Sequence, residues 1–198
     1  TSNKVATVDA RLRLPELAGT SVYYELAVDD FDLRRPRSML LEDSGHLLGL
    51  TVGRLRRDGS VSLDVQAQQT SLRLYRHYQF TNGLTYRGRI LGSPLGPDAR
   101  AAYATLTWRP RLTGAVTLEL AAEERDPSLY RNLNETVPDA TLDFERLGRI
   151  GPVERRQRAL LGLQLLPPGS GIALRLRGGA EAVTDQAFVE APRRLYAT

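Results

Sequence analysis

Apolar and polar residues alternate one by one through segment after segment of this chain, and that period of two most restricts what it can fold into. Successive side chains of a strand point to opposite faces, so each segment builds a ribbon with one apolar and one polar side. Over residues 6–14, Ala6, Val8, Ala10, Leu12 and Leu14 oppose Thr7, Asp9, Arg11 and Arg13. Over 21–29, Val22, Tyr24, Leu26 and Val28 oppose Tyr23, Glu25, Ala27 and Asp29. The cleanest segment is 60–69, where Val61, Leu63, Val65 and Ala67 face away from Ser62, Asp64, Gln66 and Gln68. Residues 101–109 and 115–122 repeat the pattern, with Ala102, Ala104, Leu106 and Trp108, then Val116, Leu118 and Leu120, on the apolar side. Residues 46–56 follow it less cleanly, because Leu47 and Leu55 fall at polar positions, and residues 153–165 and 172–177 complete the series. No segment keeps a helical stripe beyond two turns, so the expected fold class is all-β.

The connections sharpen this. Those at 15–20, 57–59, 110–114 and 167–170 are short, and those at 30–45, 70–100 and 123–152 are long, in strict alternation. Asp58-Gly59 offers the positive-φ positions of a tight hairpin. An antiparallel up-and-down meander with short turns at one end and long loops at the other is the pattern of a transmembrane outer-membrane β-barrel. Most segments also exceed the roughly five or six residues of soluble strands. Trp108 and Tyr24 are expected near strand ends, as girdle aromatics. An aromatic content of 7% is low for such a barrel. The competing architecture is a soluble β-sandwich, with the same apolar faces packed sheet on sheet.

Composition closes several routes. The absence of cysteine excludes disulfide scaffolds, thiolate metal sites and cysteine nucleophiles. Every apolar run is interrupted well short of the ~20 residues of a spanning helix. Residues 1–10 lack a basic start with an apolar stretch, so no leader is expected in this stretch. The net charge of +4 comes from arginines dispersed among acids without interleaved aromatics, which argues against nucleic acid. The 198 residues are read as one β-barrel domain, the C-terminal half of a larger barrel.

The connection at 70–100 is less generic. Its stretch from Leu74 to Asp98 places His77, Gly83, Tyr86, Gly88, Arg89, Leu91, Gly92, Leu95, Gly96 and Asp98 at spacings that resemble a hallmark segment of the capsule assembly Wzi family. Upstream, 9–15 and 23–31 look like that family's paired strands with an acidic corner, so the resemblance spans about residues 6–110. It implies a large plugged barrel of the bacterial outer membrane, non-enzymatic and lectin-like, that helps capsular polysaccharide associate with the cell surface. A porin and a soluble carbohydrate-binding module are the alternatives. The implied partners are capsular or surface polysaccharide and outer-membrane lipid around a monomeric barrel, without cofactor.

Sugar recognition needs aromatic faces and planar donors. Tyr75, His77, Tyr78, Tyr86, Arg87, Arg89 and Asp98, in the long insertion, form the expected polysaccharide-binding set, with Arg89 and Asp98 as a structural pair in the blander reading. Gly83, Gly88, Gly92 and Gly96 are read as positions of close approach or positive φ. The polar strand faces, including Arg11, Tyr23, Asp64, Gln66, Tyr103, Glu119, Arg156, Arg158, Arg175 and Arg177, are expected to point inward and to pair largely as arginine–carboxylate ladders. Catalysis and metal binding find little: His46 and His77 are the only histidines, and Asp43, Ser44 and His46 are expected to lie too close in sequence to face one another as a relay.

Overall fold

The structure, a computed structural model, describes residues 5–29, 36–71, 74, 85–86, 89–90, 95–110, 114–126, 128–132, 144–149, 151–165 and 173–198. Its strands are β1 (Val5–Leu14), β2 (Thr20–Asp29), β3 (Ser44–Val52), β4 (Val61–Thr70), β5 (Thr85–Tyr86), β6 (Arg89–Ile90), β7 (Ala99–Trp108), β8 (Gly114–Arg125), β9 (Ser128–Asn132), β10 (Phe144–Arg149), β11 (Glu154–Leu165), β12 (Leu174–Thr184) and β13 (Arg194–Ala197). A short α-helix, α1 (Pro36–Glu42), precedes β3, and a 3-10 turn at Gln186–Phe188 follows β12. Nine strands form one antiparallel sheet in the order β1-β2-β3-β4-β7-β8-β11-β12-β13, while β5–β6 and β9–β10 are small separate hairpins. With those hairpins set aside, every strand pairs with its neighbours in sequence, so the sheet is an up-and-down meander.

The register joins like to like. Val22, Leu50, Val65, Ala104, Leu120, Ala159 and Ala180 are successive partners across seven strands. One face of the sheet is therefore continuously apolar, and it is the exposed one: Val8 is 64% exposed, Leu161 58% and Leu176 56%. Among the described residues no second sheet packs over it, as a sandwich would need, and only the short helix α1 lies against its long-connection end, at β2 and β3. Such a face is stable against lipid rather than water. The buried cluster is small and lies at the long-connection end, where Leu95, Ala99 and Ala101 pack with Tyr103.

Several strand ends differ from expectation for physical reasons. β3 stops at Val52, because Gly53 and Arg54 turn their N–H groups to the carbonyls of Gly19 and Ala18 in the adjacent turn, at 3.3 and 2.9 Å. In the next turn only Gly59 has positive φ, at 71°, and Asp58 does not. Asp58 instead accepts hydrogen bonds from the Ser60 hydroxyl and N–H, at 2.7 and 2.9 Å, which hold its carboxyl below the usual range. β8 runs on to Arg125, beyond its apolar residues, because Glu123, Glu124 and Arg125 have strand partners on both sides. β12 runs on to Thr184 through Gly178 and Gly179. A Cβ at Gly179 would stand 2.0 Å from the Ala159 carbonyl oxygen, so only glycine lets β11 and β12 come together there.

Candidate functional site

The second face of the sheet is polar and follows the same register. At mid-height Arg11, Tyr23, Gly49, Gln66 and Tyr103 are partners across β1, β2, β3, β4 and β7. The Tyr23 ring lies on Gly49, where a Cβ would come within 2.0 Å of it. The Arg11 guanidinium stands 5.2 Å from the ring centroid, and Gln66 Nε2 donates to the Tyr23 hydroxyl. One aromatic ring is thus fixed by a glycine beneath it, a cation beside it and an amide at its tip. Tyr103 donates its hydroxyl to Glu123 at 3.2 Å, and Thr51 donates to Asp64 at 2.6 Å.

Towards the long connections this face becomes an ion-pair lattice. Arg156 donates from Nε to Glu154 at 2.8 Å, Arg125 pairs with Glu123 at 3.2 Å, and Arg156 approaches Glu181 at 4.0 Å. Glu154 is buried, and its second oxygen accepts the Ala187 N–H at 2.7 Å. At the opposite end Arg177 pairs with Glu119. Arg177 therefore pairs across strands, as the alternation predicts, whereas Arg156 makes its short bond to Glu154 on its own strand and reaches Glu181 across to β12 only at 4.0 Å. Glu123, Arg125 and Glu154 were missed because the polarity pattern breaks where charges fill both faces.

The insertion is tied to the sheet by a hydroxyl. Thr70 donates to the Gly96 carbonyl at 2.6 Å and its oxygen accepts the Ala99 N–H at 3.1 Å, bringing both ends of the connection together. Gly96 has the expected positive φ, 79°. Asp98, also at positive φ, donates its N–H to Ser71 and accepts from Asp126 through its carbonyl, both at 2.9 Å. It stands at the base of the connection, carrying the ladder one step past β7. Tyr86 and Arg89 are register partners in β5 and β6. Tyr75, His77, Tyr78 and Arg87 lie outside the described residues, as do Gly83, Gly88 and Gly92.

Two expectations are corrected on the apolar face. Trp108 does end β7 beside a short turn, but Tyr24 sits mid-strand, and its hydroxyl reaches His46 Nδ1 at 2.7 Å. Ser44 and His46 do meet, Oγ to Nε2 at 2.9 Å, because residues two apart share a strand face. The contact is a structural clasp: Ser44 is 1% exposed and also donates to the Leu40 carbonyl. With Nδ1 accepting from Tyr24, the tautomer that fits is Nε2–H.

A long-stranded meander with an exposed apolar face, a polar face behind it, and short turns opposite long connections is part of the wall of a membrane-spanning β-barrel. Among the described residues its polar face holds no group of three or more metal-ligating side chains. The family model described as capsule assembly protein Wzi matches residues 1–194, and the chain belongs to that family. The match continues past residue 110, beyond the motifs legible in the sequence. No curated protein and no solved structure matches the chain.

Proposed function

We propose that the chain forms part of a bacterial outer-membrane barrel that assembles or retains capsular polysaccharide at the cell surface, as a lectin-like protein without chemistry of its own. Residues 1–198 act as one barrel domain within a larger closed sheet. The two sheet edges support this: among the described residues β1 and β13 each pair on one side only, whereas a lipid environment leaves no backbone donors unpaired. The observation that carries the reading is the division of the two faces: the exposed large apolar side chains that the described strands carry on their outward face are not needed by a soluble fold, whereas a bilayer covers them. Membership in the capsule assembly family supplies the polysaccharide. The row of Arg11, Tyr23, Gln66 and Tyr103 supplies ring faces and planar donors suited to it.

The test pairs a location assay with a retention assay. The protein is expected in the outer-membrane fraction, with a folded band that shifts on heating. Y86A/R89A is expected to lower surface-held polysaccharide while that band stays intact. Loss of the band in this variant would assign the insertion a structural role, and retention equal to wild type would remove Tyr86 and Arg89 from the binding set. High conductance in a planar bilayer would favour a pore over a plugged barrel.

A further inference from the structure

On the apolar face, the last row before the long connections is polar. His46, Gln69, Arg100, Glu124 and Arg155 are successive partners from β3 to β11. Glu124 binds both arginines: Arg155 donates from Nε at 3.0 Å, and Arg100 pairs with the other oxygen. The two guanidiniums are thereby clamped side by side, yet their side chains remain 58% and 75% exposed. One row further into the apolar band lie Leu48, Ala67, Ala102 and Ala122. Three adjacent alanines, with Gln157 next in the row, leave a furrow, and the resulting open groove has a volume of about 610 Å³ beside the arginines.

The position fixes the ligand chemistry. From Arg100 to Trp108 the strand makes eight residue-to-residue steps, ~27 Å along its length. Tilted by about 35–45°, it rises roughly 19–22 Å along the membrane normal, a little less than an apolar band about 25 Å tall, so Trp108 lies near the short-turn boundary and the Arg-Glu-Arg clamp near the other. Arginines at headgroup height favour phosphate, which they bind through paired N–H groups, and the trio's net charge of one positive complements an anion. An apolar furrow directly below suits an acyl chain. Long connections mark the outer leaflet.

We infer that this outward groove is a lipid site: the phosphate of an outer-leaflet glycolipid, lipid A, sits on Arg100 and Arg155 while an acyl chain fills the furrow over Ala67, Ala102 and Ala122. The inference rests on the membrane-barrel reading above and adds a ligand on the side away from polysaccharide.

Native mass spectrometry of the protein purified from outer membranes, delipidated and mixed with bisphosphorylated lipid A, tests it. Adducts are expected to survive with lipid A and to fall by about tenfold with its dephosphorylated form. R100Q/R155Q is expected to lose about as much, and R56Q/R57Q, at the opposite end, nothing. A102F, which fills the furrow and leaves the arginines in place, is expected to weaken adducts without removing the heat-shifted band. Equal adducts in R100Q/R155Q and wild type would overturn the inference, as would phosphatidylglycerol binding as well as lipid A. Because the heat-shifted band is scored on each variant, failure of the lipid site is separable from failure of the barrel reading.

Discussion

The two faces of the same nine strands obey opposite rules. On the outward face, partners match by lack of polarity, as in Leu106 beside Leu118, and the side chains remain exposed. On the inward face, side-chain contacts match by complementarity: Thr51 on Asp64, Glu119 with Arg177, Glu154 with Arg156. A soluble sheet hides its apolar face and wets its polar one. Here the polar face carries hydrogen-bonded contacts at mid-height and the apolar face, below the polar row at its long-connection end, is left open, which is the arrangement that lipid rewards. The difference teaches that identical backbone geometry supports both faces, and that the surroundings decide which substitutions are tolerated.

The largest expected effect breaks this comparison directly. Leu120 lies on the outward face, four residues from the Glu124 row and thus near the middle of the band. Leu120→Arg should cost about 2–4 kcal/mol in a bilayer. Thr105→Arg, inward between Asp64 and Glu119, gains two acidic neighbours and should cost little. Urea titration of the heat-shifted band in lipid vesicles measures both. Equal costs would mean that the faces do not see different solvents.

The next effect probes the inward lattice. Glu154 is 4% exposed in its side chain, whereas its partner Arg156 is 31% exposed and can rehydrate. Glu154→Gln should therefore destabilise by about 1–3 kcal/mol, less than a fully buried pair would lose. It should also loosen the segment at 185–189, since the Ala187 N–H is held by the same carboxylate. Hydrogen exchange at Ala187 reads this out, and unchanged protection there would limit Glu154 to its arginine.

Gly49 sharpens the comparison at a single position. It holds the Tyr23 ring on the inward face, and Gly49→Ala must displace that ring, costing about 1 kcal/mol because half-buried Tyr23 can swing aside. In a Tyr23→Ser background the penalty should vanish. A penalty that persists in the double variant would place the strain in the backbone instead of the ring.

How much was legible follows from the same alternation. The strands of the main meander were readable because polarity switches with period two, and their order follows from the short turns. Legibility failed where the switch fails. Glu123, Glu124 and Arg125 put charge on both faces, so β8 looked shorter than it is, and the outward clamp of Arg100, Glu124 and Arg155 was not read at all. Gly178 and Gly179 have no side chain to alternate, which hid the second half of β12 and with it the short partner β13. α1 spans seven residues, too few to show a period. In the candidate site, glycine spacing foretold Gly96, but a backbone role such as that of Asp98 leaves no mark in residue polarity.

The smallest effect concerns the short-turn end, outside the band. Asp58 is exposed, and its carboxyl is held below its ordinary value of 3.8 by the Ser60 hydroxyl and N–H. A carboxyl whose pKa is lowered in the folded state adds stability above its unfolded value, and that contribution is lost as pH falls through the folded value. The window therefore lies below pH 3.8, and the turn should be unaffected at neutral pH. The Ser60 amide resonance should shift in that acid range in wild type and stay still in D58N, with the meander intact in both. A Ser60 shift that persists in D58N would assign the titration to another carboxyl and leave Gly59, with its positive φ, as what closes this turn.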